Sequence, residues 1–184
     1  MPILRLKDFF STRKDPFYHQ IKALLKFSPK SLEYYKRAFI HRSLNRRDIN
    51  GIAINYERLE FLGDSILSSI ISSYLFKNIP DGSEGYLTQM RSKIVSRNHL
   101  NELGTELNLI NFVQSNIADE NHGDNIHGNL FEALIGAIFL DGGLKSAEKF
   151  ILNFWKEYLD NSILPLIDPK TQLQEYSLKK YLSK

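Results

Sequence analysis

An all-α fold is what the sequence predicts, and three observations predict it. Apolar residues recur at spacings of three and four rather than two along most of the 184 residues, the period of a helix that buries one face. Clusters of Asn, Gly and Pro separate the periodic segments, as breakers do between helices. Two of those segments, NYERLEFLGDSILSSIISSYLF and HGNLFEALIGAIFLDGG, are apolar on most sides and read as core helices.

Taken in order, helices are expected near 17–26, 31–40, 55–78, 84–95, 97–107, 127–140 and 144–160, with ends good to about two to four residues. The first two, FYHQIKALLK and SLEYYKRAFI, carry the three-and-four pattern. The third holds Leu59, Leu62, Ile66, Leu67, Ile70 and Ile71 on its buried side. Ser83 stands where a cap for the fourth belongs. The loop 114–126, QSNIADENHGDNI, is rich in Asn and Asp and leads into the sixth helix. Gly136 in mid-helix costs roughly 1 kcal/mol against Ala, which is tolerable if another helix must approach closely. The segment 163–170, ILPLIDPK, has two prolines and reads as a linker. The expected organisation is an extension over 1–16, one main domain over 17–162, the linker, and a short second element over 171–184.

Composition narrows the function classes. No apolar run reaches the roughly 18 residues that crossing a bilayer requires, so no membrane partner is expected. The start, MPILRLKDFF, lacks the pattern of a signal peptide, and a cytoplasmic location is the expectation. With no Cys there are no disulfides, thiolate metal sites or cysteine nucleophiles, and five scattered His make no HExxH pair. A metal here should be a hard cation held by oxygen. Residues 1–50 carry 12 Lys and Arg against 4 Asp and Glu, while the remainder carries 12 against 17. That separation suits a protein that grips a polyanion with one surface and concentrates cations on another, although basic stretches are also often merely solvated.

Three acids stand in one otherwise apolar helix. Glu57, Glu60 and Asp64 are spaced three and four apart, so they share one side. Like charges this close repel unless something positive sits between them, and Mg²⁺ takes carboxylate oxygens while keeping several waters. The plainer reading is an acidic helix start that complements the dipole, with Asp64 paired to an arginine. The second apolar helix repeats the arrangement with Asn129 and Glu132, which brings polar oxygens from two core helices into play.

NYERLEFLGDSIL resembles the ribonuclease III signature, and FEALIGAIFLDGG is similar to that family's second acidic motif. HRSLN at 41–45 is similar to the family's HxS segment, and SEGYLTQMRSKIVSRNHL at 83–100 to its EGxLS stretch. The resemblance spans roughly residues 20–160 and implies a homodimeric helical bundle, the ribonuclease III endonuclease fold. Carried over by position, Glu60, Asp64 and Glu132 match metal-binding acids. Asn129 stands where the family usually has aspartate. An asparagine keeps one carbonyl oxygen to orient water or ligate Mg²⁺ weakly, but it lacks the charge. A tolerated variant, an introduced inactivating change and a natural loss of catalysis are all open for it. Glu57 and Glu84 match supporting acids, the latter placed near the metal cluster from the partner side. Glu57 could equally be an exposed first-turn acid, and Glu84 could simply belong to the cap that Ser83 begins.

The implied activity is Mg²⁺-dependent hydrolysis of double-stranded RNA, with Mn²⁺ as a substitute cation, 5′-phosphate ends and short 3′ overhangs. No organic cofactor is implied. Arg91, Lys93 and Arg97 are the candidate RNA contacts, with recognition by shape, phosphate and 2′-hydroxyl. The counterpart of Phe61 inserts into the other subunit of the family's homodimer; an ordinary core phenylalanine is the alternative. DPKTQLQEYSLKKYLSK is similar to the linker and first helix of a double-stranded RNA-binding domain, and its 17 residues are too few for the rest. Two rivals are a ribonuclease III-fold protein that binds RNA without cutting it, and an unrelated metal-dependent helical hydrolase of small phosphates.

Overall fold

The computed structural model describes residues 14–118 and 121–163. Most of the 1–16 extension, nearly all of the 163–170 linker and the whole 171–184 element therefore lie outside the described residues. Seven α-helices are present among the described residues: α1 (Pro16–Leu25), α2 (Leu32–Ala38), α3 (Glu57–Asn78), α4 (Glu84–Ile94), α5 (Arg97–Glu106), α6 (Ile126–Gly142) and α7 (Leu144–Ile163). Two 3-10 turns, Arg42–Leu44 and Leu109–Phe112, were not foreseen from periodicity, because three or four residues carry no period. Among the described residues the extended pairing is limited to isolated bridges, Ile40 with Gln114 and Arg47 with Ala53. The chain divides into two compact units, Met1–Glu148 and Lys149–Lys184, and the features below belong to the first.

Local chemistry accounts for the helix ends. Asp15 accepts the Phe17 N–H at 3.0 Å and Pro16 takes the first position of α1, where its missing N–H costs nothing. Ser83 caps α4 by accepting the Tyr86 N–H at 3.3 Å. The cap of α2 comes from far away in sequence. Asp141, near the end of α6, accepts the backbone N–H groups of Ser31 at 2.7 Å and Lys30 at 3.0 Å, and the Tyr35 hydroxyl at 3.0 Å. One carboxylate thus satisfies donors that a seven-residue helix leaves open.

The core is built around α6. Leu130, Phe131, Leu134, Ile135 and Ile138 are all fully buried, as are Ala133 and Ala137. Against it lies α3, the described helix long and apolar enough to cross a membrane by length and composition; here its Leu59, Leu67, Ile70 and Ile71 line the core. The two helices cross at glycines. A Cβ on Gly63 would fall on the Glu132 carbonyl, and one on Gly136 would fall on the Leu59 carbonyl, so backbone meets backbone there. A third glycine, Gly104 of α5, lies equally close to the His127 carbonyl of α6.

Candidate active site

The glycine crossing decides where the acids go. Gly63 lies between Glu60 and Asp64 in sequence and directly against the backbone of Glu132 in space. Carboxylates from α3 and α6 therefore reach the same open cleft of about 780 Å³, lined also by Asn129, Tyr56, Arg42 and Arg97. At its entrance α6 is fixed by Asn101 of α5, whose side-chain oxygen accepts the Gly128 N–H at 2.7 Å and whose amide donates to the Asp124 carbonyl at 3.0 Å. These bonds hold the first turn of α6, which ends in Asn129, three residues before Glu132.

Electrostatics show how crowded the negative charge is. Burial, then Asp64 and Glu60, push the Glu132 carboxyl from an ordinary 4.5 up to about 8, against the opposing pull of Arg97. Glu60, half-buried, is raised by the same causes in milder form, with Glu57 and Asp64 adding to burial and Arg42 and Arg97 opposing. Carboxylates so placed favour either a shared proton or a bound cation. The donor set fits Mg²⁺: oxygen ligands from two rigid helices, with open cleft on the remaining side for water or substrate oxygen. Among the described residues no three His, Asp or Glu side chains gather tightly enough to hold a metal ion as they stand.

The remaining predicted residues fall into three groups. Asn129 lines the cleft close to the buried Tyr56 phenol, whose pKa is raised, burial being the largest cause. Glu57 is at the rim, accepting from the Asn55 amide at 2.9 Å and lying 3.6 Å from Arg42. Arg97 is exposed beside the acids, so it belongs to the cleft. Outside the cleft of this one chain are Glu84, exposed and accepting the Thr88 hydroxyl at 3.0 Å, and Lys93, exposed on α4. Arg91 is part-buried and donates to the Ser72 hydroxyl at 3.0 Å, which ties α4 to α3. Phe61 is 78% exposed at the cleft edge, which rules out the core phenylalanine considered from sequence.

Sequence reasoning passed over Tyr56, Asn101 and Arg42. Asn101 acts through a tertiary neighbour and had no signal of its own, whereas Tyr56 is the second residue of NYERLEFLGDSIL. Arg42 likewise had a signal, since it is the second residue of the HRSLN segment.

An all-helical domain whose two core helices cross at glycines to present carboxylates and arginines in one cleft is the class that fold and site define. The family model described as Ribonuclease-III-like matches residues 32–159, and the chain belongs to that family. Similar curated proteins include Ribonuclease 3 of Zunongwangia profunda, 59% identical over 143 residues (78% of this chain, 59% of that protein), and Ribonuclease 3 of Flavobacterium psychrophilum, 54% identical over 148 residues (79% and 60%). The chain spans about three-fifths of the length of these two relatives. Among solved structures, the nuclease domain of ribonuclease III from Campylobacter jejuni aligns with TM-score 0.66 at 28% identity, covering 78% of this chain and 97% of that one. A second structure of that domain, described for flexibility in a region involved in dimer formation, aligns at 0.65 and 30%, covering 75% and 95%.

Proposed function

We propose that the chain is a Mg²⁺-dependent endoribonuclease that hydrolyses double-stranded RNA as a homodimer, leaving 5′-phosphate ends and short 3′ overhangs, in RNA processing in the cytoplasm. The observation that carries this reading is the convergence of Glu60, Asp64 and Glu132 from two helices on one cleft. Bound Mg²⁺, or Mn²⁺ in its place, would supply positive charge and Lewis acidity to the attacking water and the departing 3′ oxygen. The chain's own groups do the positioning. Glu60, Asp64 and Glu132 hold the cation through carboxylate oxygens, and Glu132 must lose its proton to do so. Asn129, beside Tyr56, offers an amide oxygen to orient water without adding a further negative charge. Arg97 offsets the acids and faces the incoming phosphate. Phe61, exposed beside the acids, suits insertion into a second copy, which would also bring the partner copy's equivalent of Glu84 towards the cleft. Lys93 remains available to backbone phosphates outside it.

A second reading, an RNA-binding protein of the same fold without catalysis, draws on Asn129 alone. Cleavage of an end-labelled RNA duplex in Mg²⁺ and in EDTA separates the two, with Glu132→Gln and Asn129→Asp tested beside the parent. The parent is expected to cut only with Mg²⁺, Glu132→Gln to lose at least about a hundredfold in rate, the scale of an essential metal ligand or its support, and Asn129→Asp to change the rate modestly. A parent that binds duplex without cutting it, and that gains cleavage on Asn129→Asp, would establish the binding reading instead.

A further inference from the structure

The HRSLN segment has no part in holding a cation, yet it is braced from several sides. His41 is buried, its N–H donates to the Gln114 carbonyl at 2.9 Å, and the preceding Ile40 carbonyl accepts the Tyr56 N–H at 2.9 Å. The His41 ring packs against Tyr56 and edge-on to His122, with centroids 5.9 Å and 5.0 Å away. Its Nδ1 accepts the Ser43 N–H at 3.2 Å and lies 2.9 Å from the Ser43 hydroxyl. Ser43 in turn accepts the Asn116 N–H at 3.0 Å. Both residues flanking Arg42 are therefore fixed, and the 3-10 turn they frame leaves the Arg42 side chain 71% exposed at the cleft.

What holds Arg42 there is weak. Its nearest nitrogen is 3.6 Å from Glu57, too long for a strong hydrogen bond, and both side chains are well exposed. Exposed pairs of this kind contribute little, so exchanging the partner costs little. Glu57 has a firmer partner of its own in the Asn55 amide. A guanidinium presents a planar fork of N–H donors that matches phosphate oxygens far better than this single long approach to a carboxylate.

We propose that Arg42 is a phosphate-binding residue of the cleft, kept at its rim by Glu57 and passed to a backbone phosphate when duplex RNA arrives. His41 and Ser43 are the frame of that turn and Arg42 is what it delivers; Glu57 serves as tether rather than as a ligand of the cation. This assignment rests on the nuclease reading above. Arg97 of α5 and Arg42 of the turn before α3 then both line the cleft with the acids, so that a polyanion meets positive charge at an otherwise repulsive site.

The test is binding of a fluorescein-labelled RNA duplex, followed by anisotropy across a salt series in EDTA, with single-turnover cleavage of the same duplex in Mg²⁺. Arg42→Ala and Arg42→Gln are each expected to weaken binding about tenfold, the scale of one charge-assisted hydrogen-bonded contact, and to flatten the log–log salt slope by about one. Arg42→Lys should recover the slope and only part of the affinity and rate, because it keeps the charge and loses the fork. Glu57→Gln should bind in EDTA at least as tightly as the parent. Thermal unfolding of the Arg42 variants should match the parent, which separates lost contact from lost fold. Arg42 variants with the parent's affinity and slope would overturn the assignment while leaving the nuclease reading intact. A parent that neither binds nor cuts the duplex would remove the nuclease reading and this assignment together.

Discussion

Glu132 shows what one residue does when two helices bring acids together. In the metal-free protein its carboxyl holds a proton up to about pH 8, whereas in the unfolded chain it would release it near 4.5. The folded state therefore binds more protons between those values, and its stability falls as pH rises through that window. The contribution is fully present below pH 4.5 and is lost as pH climbs towards 8. Unfolding followed in EDTA at about pH 5 and about pH 8 should show the parent losing more stability over that interval than Glu132→Gln, which has no proton to release. Parallel pH profiles for the two proteins would mean that Glu132 is not the group under strain. A cation competes with that proton, so its affinity should climb over the same interval. Asn129 fits the same economy of charge: an aspartate beside Tyr56 would add one more anion to a site where burial and two neighbours already hold Glu132 protonated.

At the scale of helices, the site depends on how closely α3 and α6 approach. Gly63→Ala would drive a methyl into the Glu132 carbonyl, a backbone atom that cannot swing aside as a side chain can. Overpacking of this kind costs about 3 kcal/mol or more, which for a domain of this size lowers the midpoint of thermal unfolding by roughly 10 °C. Cleavage should fall with it, because Glu132 moves when the crossing opens. Gly85→Ala is the informative contrast: it is also helical, nothing lies within 4 Å of its added Cβ, and the change should stabilise the protein by up to about 1 kcal/mol. Circular dichroism melts of the two variants give the comparison, and a Gly63→Ala protein as stable as the parent would show that the crossing can relax.

For the whole molecule the decisive surface is the one that carries Phe61. A phenylalanine 78% exposed at the edge of a charged cleft leaves apolar area in water that association would remove. Phe61→Ala is expected to sediment as a monomer and to lose cleavage at the same concentration, without a matching loss in unfolding temperature. A dimeric, active Phe61→Ala protein would detach both Phe61 and assembly from the mechanism.

The sequence by itself determined the helical class, the approximate extent of all seven helices and the two acidic motifs, because period and residue type are local properties of a chain. It also marked Gly136 as a place of close approach. Only the tertiary structure decided which side chains share a cleft. That Glu132 meets Glu60 and Asp64 follows from the partner glycine, Gly63, and from the crossing the two allow. That Arg97 faces the acids while Arg91 ties α4 to α3 could not be read from two arginines six residues apart, since each is defined by its neighbour across space. Asn101 and the Asp141 carboxylate that caps α2 from 110 residues away were invisible for the same reason: a hydrogen bond between distant segments leaves no spacing in the sequence, and it exists only once hydrophobic packing has brought the segments together.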